Sequence, residues 1–235
     1  MLLTGYLILF NTSCGLDTFY VIDGPTNAIH RPDCNSIDYS DSYFEFYTVD
    51  KEYDTIKFLG TEVYYKIYKS PDRLRSEYED LIAISSRDDS TSAAAEKMIQ
   101  SYRFQPLRAS GYEGKDVLFP TVESNQKIYI RLSNYTMSYP AKITVDNDNI
   151  YDAPNTVIPV RNLATRPSFN FQELKTSNPN LLPKSDDVDV NTSGNNSSDT
   201  KWYVSLFAVA IGQDSTYTAI YSNILYLGSV GIPTE

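Results

Sequence analysis

Alternation of apolar and polar positions marks two early strands. In SYFEFYTVD, residues 42–50, Phe44 and Phe46 face one way and Tyr43, Glu45 and Tyr47 the other. In GTEVYYKIYKS, residues 60–70, Val63, Tyr65 and Ile67 alternate with Tyr64, Lys66 and Tyr68. The period then changes from that of a strand to that of a helix. Ser70 and Pro71 supply a cap residue and a proline suited to the first helical position, and Leu74, Tyr78, Leu81 and Ile82 follow at helical spacing. A second helix is predicted from near Ser90 to Tyr102, with high propensity over Ala93–Glu96. Further strands are predicted at 126–133, 140–146 and 155–162, and a fainter one in FNFQEL, 169–174. Residues 175–200 are polar and low in aromatics, the pattern of a long mobile loop. The closing segment reads as two strands, 202–211 and 217–227, joined by a turn at 212–215. Before all of these, LDTFYVIDGPT alternates weakly and stops at an Asp-Gly-Pro turn signal.

Composition narrows the function classes. Of 235 residues, 41% are hydrophobic, which suffices for a real core, and 20 tyrosines against 10 phenylalanines and one tryptophan suit a strand-rich protein. The net charge is −10 and the 20 basic residues are scattered, which argues against nucleic acid as a partner. Two cysteines, Cys14 and Cys34, and a single histidine, His30, cannot make a disulfide framework or a zinc site. A Ser-His-Asp triad has no usable histidine, and no Gly-rich phosphate loop, HExxH or GxSxG occurs. The chain is therefore expected to be non-catalytic and to need no cofactor.

The N-terminus carries a different signal. The apolar run Leu2–Phe10 is about half of the roughly 20 residues a membrane-spanning helix needs. It matches the apolar core of a signal peptide. Leu9-Phe10-Asn11-Thr12-Ser13-Cys14 resembles a bacterial lipoprotein signal, an apolar segment and small residues ahead of the cysteine to be acylated. Asn11 departs from the usual aliphatic residue, and no Lys or Arg precedes Arg31, so the basic opening of such signals is missing. Either the true start lies upstream, or GYLILF is a buried first strand and a Cys14–Cys34 disulfide becomes the one possible pairing.

The closing hairpin resembles the end of a fibronectin type III domain. Trp202, Val204, Leu206 and Ala208 alternate in its first strand, and Tyr221-Ser222-Asn223-Ile224-Leu225 leads the last. GTEVYYKIY is similar to that family's third strand and SYFEFYTVD to its second. The resemblance covers about a third of the chain. Trp202 or Tyr203 opens the penultimate strand, which alters the tyrosine corner of such domains. Set beside the lipoprotein signal, the whole resembles a spirochaetal, treponemal-like lipoprotein.

The expected fold is mainly β, an immunoglobulin/fibronectin type III-like antiparallel sandwich with an inserted helical pair. The expected organisation is a signal peptide over 1–13, a tether and first strand over 14–40, and the sandwich over 41–230. Within the sandwich lie a helical insertion, 71–102, and the mobile acidic loop, 175–200. The expected role is binding or assembly in the bacterial cell envelope, with Cys14 anchoring the chain to an inner or outer membrane and an unspecified protein or glycan as ligand. A secreted or periplasmic glycan-active enzyme, or its accessory module, is the alternative. Candidate residues are an exposed tyrosine face at Tyr64 and Tyr68, and a calcium turn at Asp146, Asp148 and Asp152, which gathers oxygen donors without the glycine and terminal glutamate of an EF-hand.

Overall fold

The computed structural model describes residues 20–87, 92–122 and 124–235. The apolar run, Cys14 and any Cys14–Cys34 pairing lie outside the described residues. Strands β1 (Ala28–His30), β2 (Phe44–Tyr47), β3 (Lys57–Tyr68), β4 (Lys127–Arg131), β5 (Lys142–Val145), β6 (Lys201–Gln213), β7 (Ala219–Tyr221) and β8 (Leu225–Pro233) carry the architecture. Helix α1 (Pro71–Ser85) and helix α2 (Ala93–Glu96), extended by a π-turn over Lys97–Ser101, stand between β3 and β4 as the sequence predicts.

The chain is mainly β and forms an antiparallel sandwich. One sheet runs β1-β2-β4-β5 and ends on the short piece Asp148–Asn149. The other is built on β3 paired antiparallel with β6, whose far edge takes β7 and β8. Alternation explains how the sheets meet. Phe44, Phe46, Ile128, Ile130 and Ile143 of the first sheet pack against Val63, Tyr65, Ile67, Val204, Leu206 and Ala208 of the second. In β8, Leu225 and Leu227 face this core, as do Val230 and Ile232, although their numbers change parity. The register shifts between Leu206 and Phe207 of β6, and the extra residue restores the inward face.

The opposite face of the second sheet is not solvated. Tyr64, Tyr68, Tyr203, Phe207 and Val209 pack under Leu74 and Leu81 of α1 and Ala94, Ala95 and Met98 of the second helix. With helices over one face and the first sheet over the other, β3 is buried at every residue from Gly60 to Tyr68. Its free edge is covered by three short pieces: Gln105–Pro106 and Phe119–Pro120 antiparallel, and Val190–Asn191 parallel. Gly60 sits beside a β-bulge at φ +139°, and a Cβ there would lie 2.1 Å from the Phe119 carbonyl oxygen.

Several expectations need correction. Tyr64 and Tyr68 are not a surface: they are 6% and 0% exposed, because the helices expected to flank them lie on top of them. FNFQEL is no strand; a helix, α3, spans Phe171–Ser177, with Phe169 and Phe171 both seated in the sandwich core. The strand expected over 155–162 shrinks to Pro159–Val160, paired with Arg108–Ala109. The strand expected at the start of the chain lies after the Asp-Gly-Pro turn rather than in LDTFYVIDGPT: β1 is Ala28–His30, paired with β2, and residues 20–27 form no strand. The closing hairpin runs on to Pro233, with β7 breaking before β8.

Residues 175–200 are anchored. The Ile67 N–H donates to the Asp189 carbonyl at 2.9 Å and the Lys69 N–H to the Asn191 carbonyl at 3.0 Å, which fixes the segment along β3. The buried Arg161 guanidinium donates to both Asp189 oxygens (2.8 and 2.7 Å) and to Asp187 (2.8 Å), while Arg166 also bonds Asp187. The Tyr65 hydroxyl donates to Asp189 at 2.7 Å and accepts from the Asn162 N–H at 2.9 Å. A low-hydrophobicity segment is thus held by a buried charge network, beside the packing of Leu182 and Val190 against the core. Removing one member leaves an uncompensated buried charge. Asp189→Ala is expected to cost about 3–5 kcal/mol in urea unfolding, whereas Asp148→Ala, on an exposed turn, is expected to stay within about 0.5 kcal/mol.

Candidate functional site

The alternation of β3 places Glu62 and Lys66 on its helix-side face, where two ionisable groups are taken out of water. Lys66 is met by Glu77, which shares the inward face of α1 with Leu74 and Leu81. The Lys66 ammonium donates to Glu77 Oε2 at 3.0 Å and to the Tyr102 carbonyl at 2.5 Å. Glu77 also accepts from the Tyr68 hydroxyl (2.7 Å) and Asn191 Nδ2 (3.0 Å), and pairs with Arg73 across one helical turn (3.1 Å). Burial lowers the Lys66 pKa; Glu77 opposes that shift, and the nearby Arg73 and Arg103 reinforce it.

An open cleft of about 510 Å3 lies over this cluster, between α1, the end of the π-turn and the 185–193 segment. Lys66 and Glu77 form its floor, and Arg73, Arg103, Asn191 and Ser193 stand around it. The π-turn closes with the Tyr102 N–H donating to the Lys97 carbonyl at 3.0 Å, and Arg103 follows in the left-handed region at φ +60°. A non-glycine residue there is uncommon, and such conformations cluster at functional sites. The Arg103 guanidinium has no carboxylate partner among the described residues, and the buried Arg73 Nε has no acceptor.

Glu62 forms a second buried pair. It accepts from Arg108 at 2.9 Å and from the Val63 N–H at 3.1 Å. Burial pushes its carboxyl up to about 7 despite the guanidinium beside it.

A stack of half-buried tyrosines lies elsewhere, on the outer face of the first sheet. Tyr43 stacks between His30 and Tyr129, with centroids 3.9 and 4.9 Å away. Arg131 lies 5.7 Å from both tyrosine rings and 4.9 Å from Tyr139, and Lys142 stands 4.8 Å over Tyr129. The alternation of SYFEFYTVD already set Tyr43 opposite the core-facing phenylalanines. The register that brings Tyr129 beside it was not readable from either strand alone.

The calcium residues resolve to a hairpin. Asp146 and Asn147 have φ of +50° and +73°, turning β5 into Asp148–Asn149, and Asp146 Oδ1 accepts from the Lys127 N–H at 2.9 Å. Asp146, Asp148 and Asp152 do border one shallow cleft, but among the described residues no three His, Cys, Asp or Glu side chains converge as a metal set. Cys34 is buried and bonds to no other cysteine among the described residues, and burial raises its thiol pKa. No protein-family model, curated protein or solved structure matches this chain.

The Glu62 carboxyl gives a pH signature. It titrates near 4.5 when unfolded and near 7 when folded. Between those values the folded state keeps a proton that the unfolded state has lost. Stability is therefore expected to fall as pH rises through that window and to level off above it. Denaturant midpoints measured from pH 4 to 8 check this, and Glu62→Gln is expected to remove that part of the slope.

Proposed function

We propose that the chain is a non-catalytic recognition or assembly module of the bacterial cell envelope, held to a membrane by acyl chains on Cys14. The observation that carries the recognition half is the division of labour among its charged groups. The buried ones, Glu62 with Arg108, Lys66 with Glu77, and Arg161 with Asp187 and Asp189, are bonded to one another and serve the fold. The Arg103 guanidinium, which borders an open cleft, keeps its donors unspent, and the buried Arg73 Nε has no acceptor. Such an arrangement suits binding better than proton transfer, since Lys66 is already committed to Glu77 and the Tyr102 carbonyl. The anchoring half rests on the signal-like run and on Ser13-Cys14.

A glycan-active enzyme would need paired carboxylates beside aromatic walls. The strip at Tyr43 and Tyr129 offers aromatic rings, yet its neighbours are His30, Arg131 and Lys142, and its carboxylate, Glu45, is bound by Lys127. Intact mass of the membrane fraction from a bacterial host expressing the full gene tests the anchor. A chain beginning at Cys14 with added acyl mass is expected, and Cys14→Ser is expected to abolish both the acylation and the cleavage. An unmodified chain that retains residues 1–13 would overturn the anchored reading.

A further inference from the structure

We infer that the cleft over Lys66 and Glu77 binds a small oxyanion carried on a polyhydroxyl body, the chemistry of an acidic sugar. This rests on the recognition role above and is independent of the anchor. The argument is a count of hydrogen-bonding capacity. Glu77 accepts hydrogen bonds from Lys66, Tyr68 and Asn191 and is ion-paired with Arg73, so donors crowd both of its oxygens. Little acceptor capacity is left on the floor of the cleft, while donors remain. Arg73 Nε is buried and unpartnered, and Arg103 brings a whole guanidinium to the opening. The charge balance points the same way. Asp187 is neutralised by Arg161 and Arg166, and Glu77 offsets only one of Lys66 and Arg73. Asp186 on the rim offsets one of the two cations left over, so the cleft keeps one positive charge within a chain of net charge −10.

A guanidinium with a free fork suits a planar carboxylate or a phosphoryl group, each of which accepts two parallel N–H donors. Beside Val188 and Val190 the wall carries hydroxyls: Ser185 and Thr192 can donate to or accept from ligand hydroxyls, and Ser193, which donates to Asn191 Oδ1 at 2.6 Å, can accept. Its volume of about 510 Å3 is that of a small-molecule site, larger than a bare ion needs. The left-handed conformation of Arg103 aims the residue where the π-turn ends, so the sequence holds this cation at the opening at a cost in backbone energy.

The test is calorimetric titration of the full chain at low salt with glucuronate, glucose 6-phosphate and glucose. Binding of glucuronate, glucose 6-phosphate or both is expected, and comparing them tells a carboxylate ligand from a phosphoryl one; glucose is expected not to bind. Arg103→Gln, at an exposed position, is expected to leave the unliganded melting temperature unchanged and to weaken the anionic ligand at least tenfold. Ser193→Ala is expected to weaken it less. Equal binding of glucose, no binding of either anion, or an Arg103→Gln variant that binds like the parent would overturn the proposal. None of these outcomes would alter the mass of the Cys14-processed chain, so failure here and failure of the anchored reading are separable.

Discussion

The strand Lys57–Tyr68 is the constraint around which the other elements are arranged. It is covered on both faces and along both edges, yet it carries Glu62, Lys66 and three tyrosines in its buried stretch. A buried polar group without a partner costs more than a typical hydrogen bond returns, so most of these side chains are answered from elsewhere in the chain. The answers come from far away. Arg108 reaches Glu62 across 46 positions, Glu77 reaches Lys66 and Tyr68 from the inserted helix, and Asp189 reaches Tyr65 across 124. The insertion and the long polar segment are therefore parts of the same core, because each satisfies one face of a single strand.

Buried ion pairs of this kind add little net stability, since desolvation consumes most of the Coulombic gain. Their consequence is for register. A slip of one residue in β3 would turn Glu62 and Lys66 into the sandwich core and bring Val63 and Ile67 under the helices. That alternative would part Arg108, Glu77 and Asp189 from the β3 side chains they bond. The charges thus penalise mispairing in a strand whose apolar residues, being present on both faces, would tolerate it.

This also explains what could be read from the residues. The alternation in SYFEFYTVD, the period change at Ser70-Pro71 and the regular closing hairpin are local signals, and the elements they predict are present. The tyrosines misled because alternation assigns side chains to two faces without saying what covers the second. Tyr64 and Tyr68 were set opposite the core correctly, but a helical layer made that face interior too. Residues 175–200 carried a solvated composition because their anchoring rests on Asp187, Asp189 and backbone bonds to β3, none of which leaves an apolar pattern. FNFQEL alternates like a strand, yet its two phenylalanines enter the core from a loop end and from the first residue of a helix. The cleft was invisible for the same reason. It is assembled from Lys66, Arg73, Arg103 and Asn191, which share no motif and meet only when three layers close.

The position of the cleft follows from the arithmetic of the strand. Lys66 needs one carboxylate, and α1 supplies it at Glu77, an inward position one turn from Leu74 and Leu81. The same helical spacing sets Arg73 beside Glu77, so one acid serves two cations. The 185–193 segment arrives to cover the edge of β3 and gives Glu77 a further donor in Asn191 rather than a second acid. Each step follows from burial, and together they crowd the carboxylate with donors and leave the buried Arg73 Nε without an acceptor. A fold that must satisfy Lys66 in this way is left with a donor-rich opening at the junction of its helical insertion and its polar segment, and Arg103, placed there by the end of the π-turn, adds to the surplus.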